Sequence, residues 1–166
     1  MVEDVSYKWY SVFHKPGMSL SQALNQSTPI RGEGRKYRGH TQWNIKWHFD
    51  WEVDSEGRCH ISESTTDLTA VITIPGLVSS DEKAKAKFSR YIANLKTHEM
   101  GHVEIARKAA MDIDKGILSL PAMNTCEELN SAANRLGQAR LQMARDEGDQ
   151  YDVKTQHGRT QGVFIK

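Results

Sequence analysis

Cysteine is nearly absent: the 166 residues hold only Cys59 and Cys126, in no C-x-x-C arrangement. That spacing excludes a cysteine-built zinc or thiol-redox motif. Counting leaves the two thiols equally open to being paired or free. A bond between them would close a loop of about 68 residues and stabilise the chain by roughly 4 kcal/mol on the chain-entropy model, which makes sense only in an oxidising compartment. Long apolar runs are also missing. "LTAVITIPGLV" falls far short of the roughly 18 residues of a membrane helix, so no membrane span is expected. No apolar leader opens the chain, and "VED" followed by the strand-like "VSYKWYSVFH" reads as a mature domain from which a leader has been removed. Excess charge is lacking as well: Lys+Arg 22 against Asp+Glu 21 gives +1, no global pull toward nucleic acid or an anionic membrane. "RGEGRKYR" is a short basic loop without the broad basic face that nucleic-acid binding needs. Repeats and low-complexity segments are absent, and the length fits one domain over residues 1–166.

What is present divides into a strand-rich first half and a helical second half. "SYKWYSVFH" alternates large and polar residues as a strand does, and "MSLSQALNQSTP" predicts a short helix capped by Ser19 or Ser21. After the loop "IRGEGRKYRGH", "TQWNIKWHFDWEV" alternates so strictly that Trp43, Ile45, Trp47, Phe49 and Trp51 share one face. "CHISESTTDLTAVITIP" follows a turn and predicts a hairpin partner that ends at Pro75. With four tryptophans in the first third, the sheet is expected to carry an aromatic core. From residue 81 the period becomes helical to about 118, with Ser79 or Ser80 as cap. Pro121 breaks that helix, and a second runs from a Thr125 cap to about 149. The tail reads as a loop, with "GVFIK" as a short closing strand. The fold class is therefore α+β, a small antiparallel sheet from the N-terminal strands and hairpin packed on two long C-terminal helices.

His98-Glu99-Met100-Gly101-His102 fits H-E-x-x-H. On a helix the two histidines lie about 40° apart around the axis and one turn apart along it, so both imidazoles reach one ion. Glu99 lies about 100° round, beside the ion and not on it, where a general base for a zinc-acidified water belongs. A chain of this composition produces the pattern by chance about 0.02 times. The competing explanation is a pair of polar residues on a solvated helix face. The helical wheel weighs against it, because Phe88, Tyr91, Ile92, Leu95, Glu99, His102, Ala106 and Ala110 continue one core-facing stripe. Polar groups buried there need partners, and a metal satisfies them together. Gly101 costs a helix about 1 kcal/mol against Ala, which implies that another group packs closely there. A catalytic zinc needs a third protein ligand and an open position. Glu127 and Glu128 offer one from the following helix, and His157 offers another from a loop followed by glycine. His48 and His60 read as solvent-face residues of the hairpin, and Glu104 as a surface residue.

"YSV", "GHTQWNIKWHF", "ITIP", "HEMGHVEIARKAA" and "YDVKTQHGRTQG", in this order, give the chain its resemblance to the bacterial family known as domain of unknown function 922, described as predicted secreted zinc-dependent proteases. The likeness spans nearly the whole chain. It implies a zincin-like active-site helix, export, and with export a Cys59 to Cys126 disulfide. It also makes Tyr151, Asp152, Thr155, His157 and Gly158 look like part of the site. The expectation is then a zinc ion held by His98, His102 and His157, with Glu99 as general base and Tyr151 as a hydrogen-bond donor to the oxyanion. Asp152 has three readings: it orients a ligand histidine, ligates directly, or caps the turn. The expected function is a secreted or periplasmic zinc metallopeptidase acting on a peptide or protein, its oligomeric state open. Two alternatives stand beside it: a zinc amidase acting on cell wall, and a non-enzymatic binding module with a structural or vestigial metal site.

Overall fold

The computed structural model describes residues 1–166. Strand β1 (Val2–Phe13) leads to α1 (Leu20–Ser27), a small hairpin of β2 (Ile30–Gly32) and β3 (Arg35–Tyr37), the long strands β4 (His40–Val53) and β5 (Cys59–Val78), and the helices α2 (Glu82–Leu118) and α3 (Cys126–Thr155). β1, β5 and β4 form one sheet in that order, and β2 pairs with β3 antiparallel in a second. The α+β class holds, with the two long helices at the C-terminal end.

The chain forms two compact units, and each long element contributes residues to both. One unit comprises Met1–Asp4, Trp43–Thr69 and Glu104–Asp149. Its core is aliphatic: Ile45, Ile61 and Leu68 of the strands meet Ala106, Ala109, Ala110, Ile113 and Ile117 of α2 and Leu129, Ala133, Leu141 and Ala144 of α3. Small side chains on one stripe of α2 allow close packing at that face. The expected aromatic core is corrected here. Trp43, Trp47 and Phe49 are only partly buried at its border, whereas Trp51 is exposed. A tryptophan needs an outlet for its N–H, and Trp47 finds one at the core's edge, donating to Asn134 Oδ1 at 2.9 Å. Cys59 and Cys126 are bonded, their Cα atoms 5.1 Å apart, and Cys59 exchanges two backbone hydrogen bonds of 2.8 Å with Met123 beside the bond.

The other unit comprises Val5–Gln42, Ala70–Val103 and Gln150–Lys166. Helix α1 starts in a capping box between Ser19 and Gln22. Tyr10 is half-buried, donates to the Arg38 carbonyl at 2.7 Å, and burial pushes its phenol up to about 12. α2 begins as expected, although Asp81 and not a serine caps it, accepting from the amides of Lys83 and Ala84. Several elements differ from the sequence expectation. β1 begins at Val2, ahead of "SYKWYSVFH", and the expected loop "IRGEGRKYRGH" holds the β2–β3 hairpin, in which Ile30–Gly32 pairs with Arg35–Tyr37. β5 runs past Pro75 to Val78, because β1 still pairs with it there, His14 donating to the Val78 carbonyl. α3 continues six residues beyond 149 to Thr155. "GVFIK" is no strand, since the amides of Val163 and Phe164 turn back onto the carbonyls of Gly158 and Gly162.

The 67-residue separation across the disulfide makes it the largest single constraint on the unfolded chain. Reduction, or Cys59→Ala with Cys126→Ala, is expected to lower unfolding free energy by about 4 kcal/mol. Urea titrations with and without reductant check this, and coincident curves would contradict it.

Candidate metal centre

The buried stripe of α2 carries Tyr91, Leu95, His98 and Glu99, each no more than 4 % exposed. Two ionisable side chains at that depth require partners, and the last turn of α3 brings them. Asp152 Oδ1 lies 2.9 Å from His102 Nε2 and 3.2 Å from His98 Nε2. One ligand atom from each of these three residues falls within 4.8 Å of the others. Ligands about 2.0–2.2 Å from a tetrahedral zinc stand roughly 3.3 Å from one another, so the donor set fits such an ion. Burial by itself would raise the Asp152 carboxyl, but hydrogen bonds from His102 and His98 outweigh it and hold the group well below the usual carboxylate range. For His98 burial works downward, yet Asp152, Gln161 and the charge of Glu99 leave its imidazole raised. The field that favours the proton on His98 also attracts a divalent cation, which competes for the same lone pair.

The other nitrogen of His98 is fixed from the tail. Nδ1 lies 2.8 Å from Gln161 Oε1, so the amide oxygen receives an N–H and leaves Nε2 toward Asp152. Gln161 Nε2 donates to Tyr151 Oη at 3.0 Å, and Tyr151 Oη donates to the His98 carbonyl at 3.0 Å. The ring of hydrogen bonds closes on the residue where it began. Tyr151 also stacks on the His98 ring, centroids 5.0 Å apart and planes within 10°, and meets His102 edge-on at 4.9 Å. Burial raises its phenol, so it remains a neutral donor. The helical glycine expected to mark a close approach does so: a methyl at Gly101 would overlap the Tyr151 phenol.

A tight reversal of the chain delivers Gln161. Gln156, His157 and Gly158 all take left-handed backbone angles (φ 52°, 54° and 87°), and a 3₁₀ turn at Arg159–Gln161 follows. Gly158 is required twice over, by its φ and because a Cβ would stand 3.0 Å from His98 Cγ and 2.7 Å from Val163 Cγ2. Thr155, buried, ties the turn by donating to the Tyr151 carbonyl at 2.8 Å and accepting from the Gly158 amide at 3.1 Å.

Glu99 sits beside the cluster, its Oε2 accepting from Thr41 Oγ1 at 2.7 Å. Thr41 belongs to the first turn of sequence in β4, and the neighbouring Gly39 leaves room for the carboxylate, since a Cβ there would lie 2.8 Å from Glu99 Oε1.

The structure thus brings together His98, His102, Glu99, Tyr151 and Asp152. His157 is not among them: it is exposed, and its ring lies 5.5 Å from Tyr37. The value of "HGRTQG" lies in the turn and in Gln161, for which the sequence offers one signal, the two glycines four residues apart, Gly158 and Gly162, that enclose it. Glu127 and Glu128 are exposed in the first turn of α3, at the opposite end of the helix from Asp152. His48 is exposed beside Asp67, His60 lies 3.7 Å from Glu52, and Glu104 is exposed beside Arg107, as surface residues should be.

Fold and cluster define a class: an α+β protein whose long helix sets a His-Glu-x-x-His pattern against an aspartate from the end of a second helix. The chain belongs to the family described as bacterial protein of unknown function (DUF922), whose model matches residues 7–158. No curated protein and no solved structure matches it.

Two substitutions test the packing of Tyr151. An open helix site gains up to about 1 kcal/mol when Gly becomes Ala; Gly101→Ala is expected instead to cost about 1–3 kcal/mol, through overpacking against the phenol. Tyr151→Phe removes one donor and one acceptor and should cost about 1 kcal/mol. Thermal melts of the two variants read both effects, and a stabilised Gly101→Ala would contradict the close approach.

Proposed function

We propose that this chain is an exported zinc-dependent peptidase. The observation that carries the reading is the convergence of His98, His102 and Asp152 on one point, with the buried carboxylate of Glu99 beside them. The donor chemistry supports zinc: two imidazoles and one carboxylate make a three-ligand set of the catalytic type, with a fourth position left for water. In this reading Asp152 takes the ligand role first assigned to His157. When bound, zinc supplies a Lewis acid and brings the acidity of a water molecule near neutrality.

The protein's own groups account for the rest. Gln161 holds the His98 tautomer so that Nε2 carries the free lone pair. Thr41 occupies Glu99 Oε2 and leaves Oε1 to receive the proton of the attacking water, from where it passes to the leaving amine. Tyr151 spends its hydroxyl hydrogen on the His98 carbonyl, so it positions the histidine and α3 and does not donate to an oxyanion. Export is supported by the Cys59–Cys126 bond, which persists in oxidising compartments such as the periplasm or the cell exterior. No helix is long and apolar enough to cross a membrane.

Glu99→Gln is expected to leave zinc content intact and to lower hydrolysis of casein about 100- to 10,000-fold. Asp152→Ala and His102→Ala should lose the metal while His157→Ala keeps it, as read by metal analysis of the purified proteins. Cleavage of cell wall with casein untouched would move the assignment to an amidase. Activity insensitive to Glu99→Gln would overturn the catalytic reading in favour of a binding module. Gln161→Leu should weaken zinc about 10–100-fold in chelator competition, and Gln161→Glu, which keeps an acceptor for Nδ1, should restore most of it.

A further inference from the structure

A net charge of +1 conceals a segregation. The unit that holds the candidate metal centre carries fourteen Lys and Arg against five Asp and Glu, a net of +9, whereas the other carries eight against sixteen, a net of −8. Two of the five acids, Glu99 and Asp152, belong to the centre itself, which leaves Glu33, Asp81 and Glu82 to balance the rest. Within this unit the only ion pair of a lysine or arginine with a carboxylate is Lys85 with Glu82, at 3.0 Å. Most of the positive charge is therefore unneutralised by the fold.

Its placement is as informative as its amount. In the β2–β3 hairpin Arg31 and Lys36 are register partners, with Arg35 next to them, all three exposed. Like charges held directly opposite one another destabilise a strand pair unless something supplies the counter-charge. The hairpin runs straight into the centre: Tyr37 packs against His157, Gly39 backs Glu99, and Thr41 bonds it. From the other side Lys154 and Arg159, both exposed, flank Asp152 and Gln161 in sequence. Basic groups thus stand on both chain segments that build the site.

We propose that this unit binds acidic polypeptide, and that the preferred substrate of the centre carries aspartate or glutamate side chains close to the bond that is cut. Binding of an acidic partner rests on the charge; that the partner is a polypeptide and a substrate rests on the peptidase reading. An extended chain advances about 3.3 Å per residue, so acidic side chains one or two residues from the bond fall within one Debye length, about 8 Å at physiological salt. Complementary fields of this kind raise the rate of encounter and fix register more than they raise intrinsic affinity. A polypeptide is favoured over an anionic membrane because the charges line the segments that form the centre, where a chain to be cleaved must lie.

Fluorescence anisotropy of the full chain bearing Glu99→Gln, with labelled Glu/Ala, Ser/Gly and Lys/Ala peptides of equal length, tests the binding. The Glu/Ala peptide is expected to bind at least about tenfold more tightly than the neutral one, with the difference collapsing at high salt. Arg31→Glu with Arg35→Glu and Arg159→Glu should abolish that preference. Lys46→Glu with Arg135→Glu and Arg145→Glu, the same change in net charge on the acidic unit, should leave it in place. Equal binding of the three peptides, insensitivity to the first triple variant, or anionic phospholipid vesicles that outcompete the acidic peptide would each overturn the proposal. Acidic peptide bound but never cut by the wild-type protein would remove the peptidase reading and leave this one standing. Neutral peptides cut as fast as acidic ones would do the reverse for the substrate claim.

Discussion

Burial of His98 and Glu99 at 4 % exposure is the constraint on which the rest of this structure depends. A helix that turns an imidazole and a carboxylate into its packed face loses their hydration, and each must be repaid by a specific contact. For Glu99 the contact is Thr41, at the start of β4. For His98 it is a set of three, Asp152, Gln161 and Tyr151, all from the last turn of α3 and the reversal after it. The C-terminal segment is ordered around His98, as the left-handed residues at 156–158 indicate: such backbone persists only where surrounding contacts over-determine it.

The chemistry follows from how those contacts are oriented. Gln161 and Tyr151 saturate the Nδ1 side and the carbonyl of His98, and Thr41 saturates one oxygen of Glu99. What remains faces one point: Nε2 of each histidine and Oδ1 of Asp152, with the Glu99 carboxylate beside them. Hydrogen-bonded support that fixes ring orientation and tautomer is what separates a metal site from a chance meeting of polar groups. The same support explains why a glycine is tolerated mid-helix at 101, where the Tyr151 phenol takes the room a side chain would need.

Much of this was legible in the sequence. The α+β class, the bounds of α2, the Thr125 cap and the inward face of the His-Glu-x-x-His stripe all follow from periodicity and capping chemistry, which are local. The last turn of α3 did not, because "QYDVKT" offers only Tyr151 as an apolar anchor and its helicity is enforced by contacts to α2. The sequence favours His157, a loop histidine followed by glycine, and leaves direct ligation by Asp152 open, because the helical course of α3 that carries Asp152 to His102 is a tertiary fact. Gln161 was invisible for the same reason, as an amide is unremarkable until its neighbour is known. The charge segregation escaped a count over the whole chain, since the two units interleave along the sequence and their opposite charges cancel.

The central claim is that two imidazoles and one carboxylate hold a single zinc ion. X-ray absorption at the zinc edge of the purified, metal-loaded protein tests it most directly. The account predicts one zinc per chain with two imidazole ligands and the remaining shell of oxygen, and the loss of that spectrum in Asp152→Ala. Three imidazoles in the shell, or an unchanged spectrum in Asp152→Ala, would contradict it.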